Sequence, residues 1–196
     1  MKTKRIIISF IIISSLIIFI ILFNYFYVGQ DQIKTNTFKD EFLCDNNNNY
    51  IAYQQDNECS AYASAYVLRH YGENISGEEL YKEVKRTFGF VFPKNIVNVF
   101  KKKGYVAKTY SGNFNTLKER INCGGQIIAF ISSKNDTHYV VVVGYDTEYV
   151  YLVDSLLENK NIDNKSYNRR ISISDFEKIW KTNTIFPNNI YIVIDK

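Results

Sequence analysis

Three residues of this sequence have the side chains of a thiol hydrolase and stand where secondary structure could aim them. Cys59 begins a run with helical spacing, His138 precedes a run of valines, and Asp154 ends the next apolar run. A cysteine nucleophile needs a base to take its proton, and the base needs an acceptor that fixes its tautomer and stabilises its charged form. These side-chain types therefore predict a Cys-His-Asp triad.

Cys59 follows the polar stretch YQQDNE and begins CSAYASAYVLRHY, an alanine-rich run with apolar residues at helical spacing. At a helix start, unpaired backbone N–H groups and the helix dipole favour an anion such as a thiolate. The alternative is a small buried hydrophobic residue, because free cysteine is among the most buried residue types. The polar stretch before it favours an exposed nucleophile.

His138 and Asp154 are expected to meet through a β-hairpin. Apolar, β-branched runs at 139–145 and 149–153 are separated by a short turn. Antiparallel pairing then brings the end of the second strand back beside the start of the first. In the alternative reading they are a surface histidine and an ordinary turn-forming aspartate. His70, more than two helical turns from Cys59, is predicted to be structural.

An acyl-transfer site also needs donors for the oxyanion of its tetrahedral intermediate. The backbone N–H of Cys59 is one candidate. Gln54 and Gln55, a few residues upstream, are two others, since each could supply a side-chain amide. The residues alone leave the choice between the two glutamines open.

The order of elements predicts one α+β domain, with helices first and an antiparallel sheet afterwards. The net charge of +4 is scattered, without a basic stripe interleaved with aromatic residues, so nucleic-acid binding is not favoured. Three cysteines and two histidines show no metal-ligand spacing, and neither a metal nor another cofactor is predicted. We expect helices at 59–71, 76–86, 95–103, 114–121 and 174–180, and strands at 105–110, 126–131, 139–145, 149–153 and 190–194.

The first residues predict a membrane anchor. Residues 6–23 read IIISFIIISSLIIFIILF, with basic residues before the run and aromatic residues after it. We expect residues 1–5 in the cytoplasm, 6–28 as a transmembrane signal anchor, 29–49 as a polar stalk, and 50–196 as an extracellular domain. A cleaved signal peptide and a secreted domain are the alternative, although no A-x-A-like site follows the run.

The segment YQQDNECSAYASAYVLRHYG resembles the nucleophile segment of papain-like cysteine peptidases of the bacteriocin-leader, or double-glycine, type. The resemblance continues through SGEELYKEV, PKNIVNVFKKKGY, GGQIIAF, THYVVVVGYD and VYLVDS. It implies a papain-like fold, with Cys59 as nucleophile, His138 as base, Asp154 as the residue that orients it, and Gln54 as oxyanion donor.

This sequence departs from the pattern of that family at three places. Ser60 stands where a glycine commonly follows the cysteine, and Ser155 where a proline commonly follows the aspartate. The glutamine is one residue nearer the cysteine than usual, so Gln54 and Gln55 both remain candidates.

Leader peptidases of this type usually form a domain of an export transporter. With one span and no phosphate-binding loop here, we expect an exported peptide, a surface protein or an incoming peptide as substrate.

Two other functions compete with a peptidase. A cell-wall peptidase or amidase of the NlpC type fits Glu58-Cys59-Ser60 loosely, but no second histidine follows His138. A catalytically inactive pseudo-peptidase would bind peptides only, and the presence of all three residue types argues against it.

If Cys59 is the free nucleophile, Cys44 and Cys123 could pair as a disulfide in an oxidising exterior.

Overall fold

The computed structural model describes residues 2–26, 28–34, 38–44, 49–87, 89–134, 136–184 and 186–196. Within the first helix, the side chains of residues 2–5, 21–22 and 24–26 are not described. Residues 1, 27, 35–37 and 45–48 belong to the predicted cytoplasmic end, anchor and stalk, and they lie outside the described residues.

After an initial long helix and two short strands, three helices come first and most of the strands follow. The helices are α1 (Lys2–Phe26), α2 (Cys59–His70), α3 (Gly77–Glu83), α4 (Pro93–Lys102), α5 (Phe114–Asn122) and α6 (Ile173–Ile179), with a 3-10 turn at Leu157–Asn159. The strands are β1 (Gly29–Gln30), β2 (Phe42–Leu43), β3 (Val106–Ser111), β4 (Gln126–Ser133), β5 (Asp136–Tyr145), β6 (Tyr149–Val153), β7 (Arg169–Ser172) and β8 (Ile190–Asp195).

Helix α1 covers the apolar run near the start of the chain. Its described apolar side chains are solvent-exposed, for example Ile6 at 68%, Phe10 at 72% and Phe19 at 64%. Within the described part of the chain, no helix combines the length and the apolar character that a membrane crossing requires.

The strands form one sheet in the order β1-β3-β8-β4-β5-β6-β7, and β2 pairs with the end of β5. Neighbouring strands are antiparallel except for β1 and β3, which are parallel. The expected α+β class with a largely antiparallel sheet is confirmed.

Helices cover both faces of the sheet. Because side chains alternate along a strand, Tyr139, Val141 and Val143 of β5 face the core under α2 and α4. Val140 and Val142 face the other core, which α5 and α6 cover. The two buried faces explain why β4 and β5 read as almost continuous apolar runs in the sequence.

The segment predicted as a stalk contacts the folded domain at two short strands. Gly29–Gln30 pairs with β3, and Phe42–Leu43 pairs with the end of β5. Between them, the buried carboxylate of Asp31 accepts hydrogen bonds from Arg120. Backbone pairing does not require apolar side chains, so hydrophobic patterning gave no sign of these strands.

Two element boundaries differ from their predictions in ways that concern the site. His138 lies inside β5, which begins two residues earlier, rather than at a loop-to-strand junction. Helix α6 begins at Ile173, one residue before its predicted start, and Ser172 caps it, since the Ser172 hydroxyl accepts from the Asp175 N–H. The other predicted elements lie within a few residues of their expected limits, whereas β7 is not predicted by the sequence.

Candidate active site

Cys59 is the first residue of α2 and is partly buried. The preceding residue, Glu58, makes no side-chain cap, and its carbonyl accepts from the N–H groups of Ala61 and Tyr62. The N–H groups of Cys59 and Ser60 come before the first intrahelical bond and so have no helical acceptor. This helix start therefore favours negative charge on the Cys59 sulfur.

His138 and Asp154 are in direct contact at the end of the β5–β6 hairpin. The His138 Nε2 and Asp154 Oδ1 atoms are 2.7 Å apart, and both side chains are buried. Pairing of Val141 with Val153 sets the register, which places Asp154 one residue beyond β6 and diagonally across from His138 on the same face.

The Cys59 thiol lies close enough to the same imidazole to help raise its pKa. Since Asp154 occupies Nε2, the nitrogen left for the thiol is Nδ1. Burial by itself would lower the pKa of His138, but the hydrogen bonds to Asp154 and Cys59 outweigh it and raise the pKa to about 9. The imidazole is therefore charged at neutral pH, which is the state that pairs with a thiolate.

A cavity of about 480 Å³ opens beside Cys59. Its walls include the helix start and a group of aromatic side chains from the segment before α4, from β4, from β5 and from the segment before β8: Phe90, Phe92, Phe130, Tyr139 and Phe186. A thiol, a charged imidazole and a carboxylate beside an apolar cavity can perform acyl transfer on a bound chain.

A model of the Peptidase C39 family matches residues 47–190. The chain belongs to this family of cysteine peptidases. It is 28% identical over 138 residues to the lactococcin-G-processing and transport ATP-binding protein LagD of Lactococcus lactis subsp. lactis, covering 70% of this chain but only 18% of that relative.

Solved structures share the fold. The peptidase domain of Streptococcus ComA, a bi-functional ABC transporter involved in a quorum-sensing pathway, has 21% identity and a TM-score of 0.57, over 74% of this chain and 96% of that one. A C39-like peptidase from Bacillus anthracis has 17% identity and a TM-score of 0.62, over 81% and 98%. A double-glycine-motif protease from an AMS/PCAT transporter, in complex with a leader peptide, has 19% identity and a TM-score of 0.51, over 74% and 89%.

In this C39 chain the Asp154 carboxylate has two partners on each oxygen. Oδ1 accepts from His138 and, at 2.9 Å, from the Leu156 N–H, while Oδ2 accepts from Asn159 at 3.0 Å and from Arg169 at 2.8 Å. Burial opposes the charge, but the hydrogen bond and charge of His138, with Arg169, lower the pKa of Asp154. The carboxylate is therefore ionised and fixed in orientation.

Sequence reasoning missed three of the residues around Asp154. Asn159, Asn168 and Arg169 fall in a polar stretch that the sequence predicts as a loop. The Asn168 side chain forms two hydrogen bonds with the backbone of Asp154. It accepts from the Asp154 N–H at 2.8 Å and donates to the Asp154 carbonyl at 2.7 Å. A buried, paired role had no local signal, because the partners are brought together by the return of β7 onto β6.

Gln54 lies beside the aspartate end of the site. Its Oε1 accepts a 2.6 Å hydrogen bond from Ser155, its backbone N–H donates to the Ser155 carbonyl, and its side-chain amide donates to the Asp56 carbonyl. Gln55 is exposed, and its N–H is 3.5 Å from a Glu58 carboxylate oxygen. Ser155 thus holds Gln54 through two hydrogen bonds.

The other cysteines stand apart from this constellation. All three cysteines are free, so the expected Cys44–Cys123 disulfide is absent. Cys44 is 4.0 Å from His70 Nδ1 and accepts from Gln126, whereas Cys123 is exposed at the end of α5. Across the described residues, no group of three or more acidic, histidine or cysteine side chains could hold a metal ion.

Proposed function

We propose that this protein hydrolyses peptide bonds through a Cys59-His138-Asp154 triad and a thioester intermediate. The observation that carries the proposal is the 2.7 Å contact of His138 with the buried Asp154, with Cys59 near the same imidazole and at the edge of the cavity. Its membership of the Peptidase C39 family supplies the reaction class.

Each of the three side chains has one role in the reaction. The Cys59 thiolate bonds to the carbonyl carbon of the substrate while the π electrons move to oxygen, and as the adduct collapses the C–N bond breaks and the amine takes the proton of His138. Water then gives a proton to His138 as its oxygen adds to the thioester, which releases the carboxylic acid and the thiolate. Asp154 holds the imidazole in position throughout.

The oxyanion donors are the Cys59 N–H and the side-chain amide of Gln54. The bonds of Gln54 to Ser155 support this choice over Gln55, because they hold the glutamine next to the triad. A donor aimed at the oxygen that becomes negative stabilises the tetrahedral intermediate. The amide N–H of Gln54 would have to turn from the Asp56 carbonyl toward the substrate oxygen.

The substrate is a peptide, and the domain acts outside the cell on an exported peptide, a surface protein or an incoming peptide. A solved structure with the same fold holds a leader peptide, which supports a peptide as the substrate class. The membrane attachment rests on the sequence of residues 6–28 and on the basic residues before them. A cleaved, secreted form is the alternative.

The test is a cleavage assay on the full chain, purified in detergent micelles and incubated with a defined peptide library. We expect cleavage products by mass spectrometry, loss of cleavage in Cys59→Ala, and unchanged cleavage in Cys123→Ala, which removes an exposed thiol. Muropeptides run in parallel separate a peptidase from an NlpC-type cell-wall enzyme. Cleavage of muropeptides alone, or equal cleavage by Cys59→Ala, would refute the proposal.

A further inference from the structure

The Asp154 carboxylate lies between two cations. On one side His138 donates to Oδ1, and on the other the Arg169 guanidinium donates to Oδ2 at 2.8 Å. The Asp154 side chain is fully buried and the Arg169 side chain is 17% exposed, so the ion pair is largely shielded from solvent. Charge–charge interactions between groups this shielded are screened weakly by salt.

The position of Arg169 follows from the register of the sheet. Arg169 begins β7 and pairs with Leu152 of β6, two residues before Asp154. Residues two apart on a strand point to the same face, so Arg169 and Asp154 are diagonal neighbours on one face. A long side chain such as arginine spans that diagonal, and the contact is built into the sheet rather than into a loop.

A count of charges shows what Arg169 does to the triad. In the reactive state Cys59 is an anion, His138 a cation and Asp154 an anion, which leaves one negative charge uncompensated. Arg169 brings the sum to zero. It also competes with His138 for the same carboxylate, and therefore weakens the pull of Asp154 on the imidazole proton.

We propose that Arg169 is a positioning residue of the triad, which turns Oδ1 of Asp154 toward His138 and limits how tightly Asp154 holds the imidazolium. This rests on the proposed function, because it assigns a role within the same reaction. A general acid held too tightly in its charged form protonates a leaving amine poorly. Arg169 thus keeps the His138 proton transferable.

The groups that face His138 define what else could change its titration. Cys59 faces it from α2, and Asp154 from the end of β6, with Arg169 behind Asp154 on β7. Tyr139, the next residue on β5, is near Cys59, but burial raises its pKa well above the usual value and it stays neutral. A change confined to Arg169 therefore acts on His138 through Asp154.

The test reads the titration of His138 directly and needs no substrate. The chain has two histidines, so full-length protein with histidine labelled with carbon-13 at Cε1, in detergent micelles, gives two imidazole resonances to follow by NMR from pH 5 to 10.5. In Arg169→Gln we expect the His138 midpoint to rise by about one pH unit while His70 stays unchanged. An unchanged or lowered His138 midpoint would overturn the proposal.

Two further variants separate charge, geometry and folding. Arg169→Lys keeps the positive charge but loses the planar guanidinium group. We therefore expect the His138 titration midpoint of the wild-type protein, a kcat lowered about tenfold, and a KM within twofold of the wild-type value. Arg170→Gln is the control, since Arg170 stacks on Tyr149. This variant should change neither the His138 midpoint nor kcat. If Arg169→Gln does not fold and Arg169→Lys has wild-type kcat, Arg169 is only structural and the proposal is wrong.

The outcomes also separate this inference from the proposed function. If the wild-type protein cleaves no peptide, the proposed function fails, and with it the role of Arg169 in the reaction, even where the midpoint rises. If peptides are cleaved and the His138 midpoint does not respond to Arg169→Gln, the peptidase stands and the role of Arg169 is refuted.

Discussion

His138 is held in its charged form against the effect of its own burial. A buried histidine with no partner would lose its proton easily, yet here the hydrogen bonds to Asp154 and Cys59 more than offset the desolvation. The imidazolium is thus part of the folded state, and its titration is coupled to the stability of the domain.

The raised pKa of His138 predicts how stability depends on pH. Below the ordinary value of 6.5 the histidine is charged in both states and its stabilising contribution is fully present, and this contribution is lost as pH rises through about 9. We expect urea unfolding to report a falling free energy of unfolding between pH 7 and pH 9.5. In His138→Gln the fall over this range should be smaller, and an equal fall would contradict the assignment.

Gln54 and Gln55 form a natural pair of variants for the oxyanion donor. Removing a donor from such a site lowers kcat on the order of 100-fold with little change in KM. We expect this loss in Gln54→Ala, whereas Gln55→Ala should retain near wild-type kcat because its side chain is exposed. Peptide-cleavage kinetics on both variants make the comparison, and the reverse ranking would assign the role to Gln55.

At the scale of elements, Gly144 allows β2 to join the sheet. A Cβ on Gly144 would lie 2.4 Å from the Phe42 carbonyl oxygen and 3.0 Å from the Leu43 Cα, both of which are backbone atoms that cannot turn aside. Gly144 pairs with Leu43 and stands where the register between β5 and β6 shifts. The attachment of β2 therefore depends on one missing methyl group.

Gly144→Ala should release β2 while leaving the rest of the sheet in place. We expect trypsin to cleave after Lys39 about tenfold faster, because the open form of this segment becomes more populated. Gly29→Ala is the matched control, since a Cβ there meets nothing within 4 Å. Equal cleavage rates in the two variants would mean that β2 tolerates the substitution.

The elements that sequence patterns predict well are those with local signals. The β5–β6 hairpin follows from alternation and a short turn, which is why the meeting of His138 and Asp154 could be expected from the sequence. The hydrogen bond from Arg169 to Asp154 could not be expected from the sequence. Arg169 reaches Asp154 only because β7 pairs with β6, and nothing near Arg169 in the sequence indicates that pairing. The disulfide expectation failed for a related reason, because cysteine spacing carries no information on distance.

At the scale of the whole molecule, the segment that follows α1 is fastened to the domain by a buried charge. Asp31 is 8% exposed, and its carboxylate accepts from Arg120 of α5 and from the Tyr191 hydroxyl of β8. Burial opposes its ionisation, but the hydrogen bonds from Arg120 and Tyr191 lower the pKa of Asp31. The link joins the residues beyond α1 to both a helix and the sheet.

Loss of the hydrogen bonds of Asp31 to Arg120 and Tyr191 should lower the free energy of unfolding of the domain. In Asp31→Ala, Arg120 and Tyr191 lose a charged acceptor, and because Arg120 is 28% exposed and can turn to water, we expect a loss of about 2 kcal/mol in the free energy of unfolding. Urea denaturation of the full chain in micelles measures it. Asp163→Ala, which removes a 95% exposed partner of Lys160, should leave the free energy of unfolding almost unchanged. Equal stabilities of the two variants would mean that residues 29–34 contribute nothing to the fold and that the domain is held together without them.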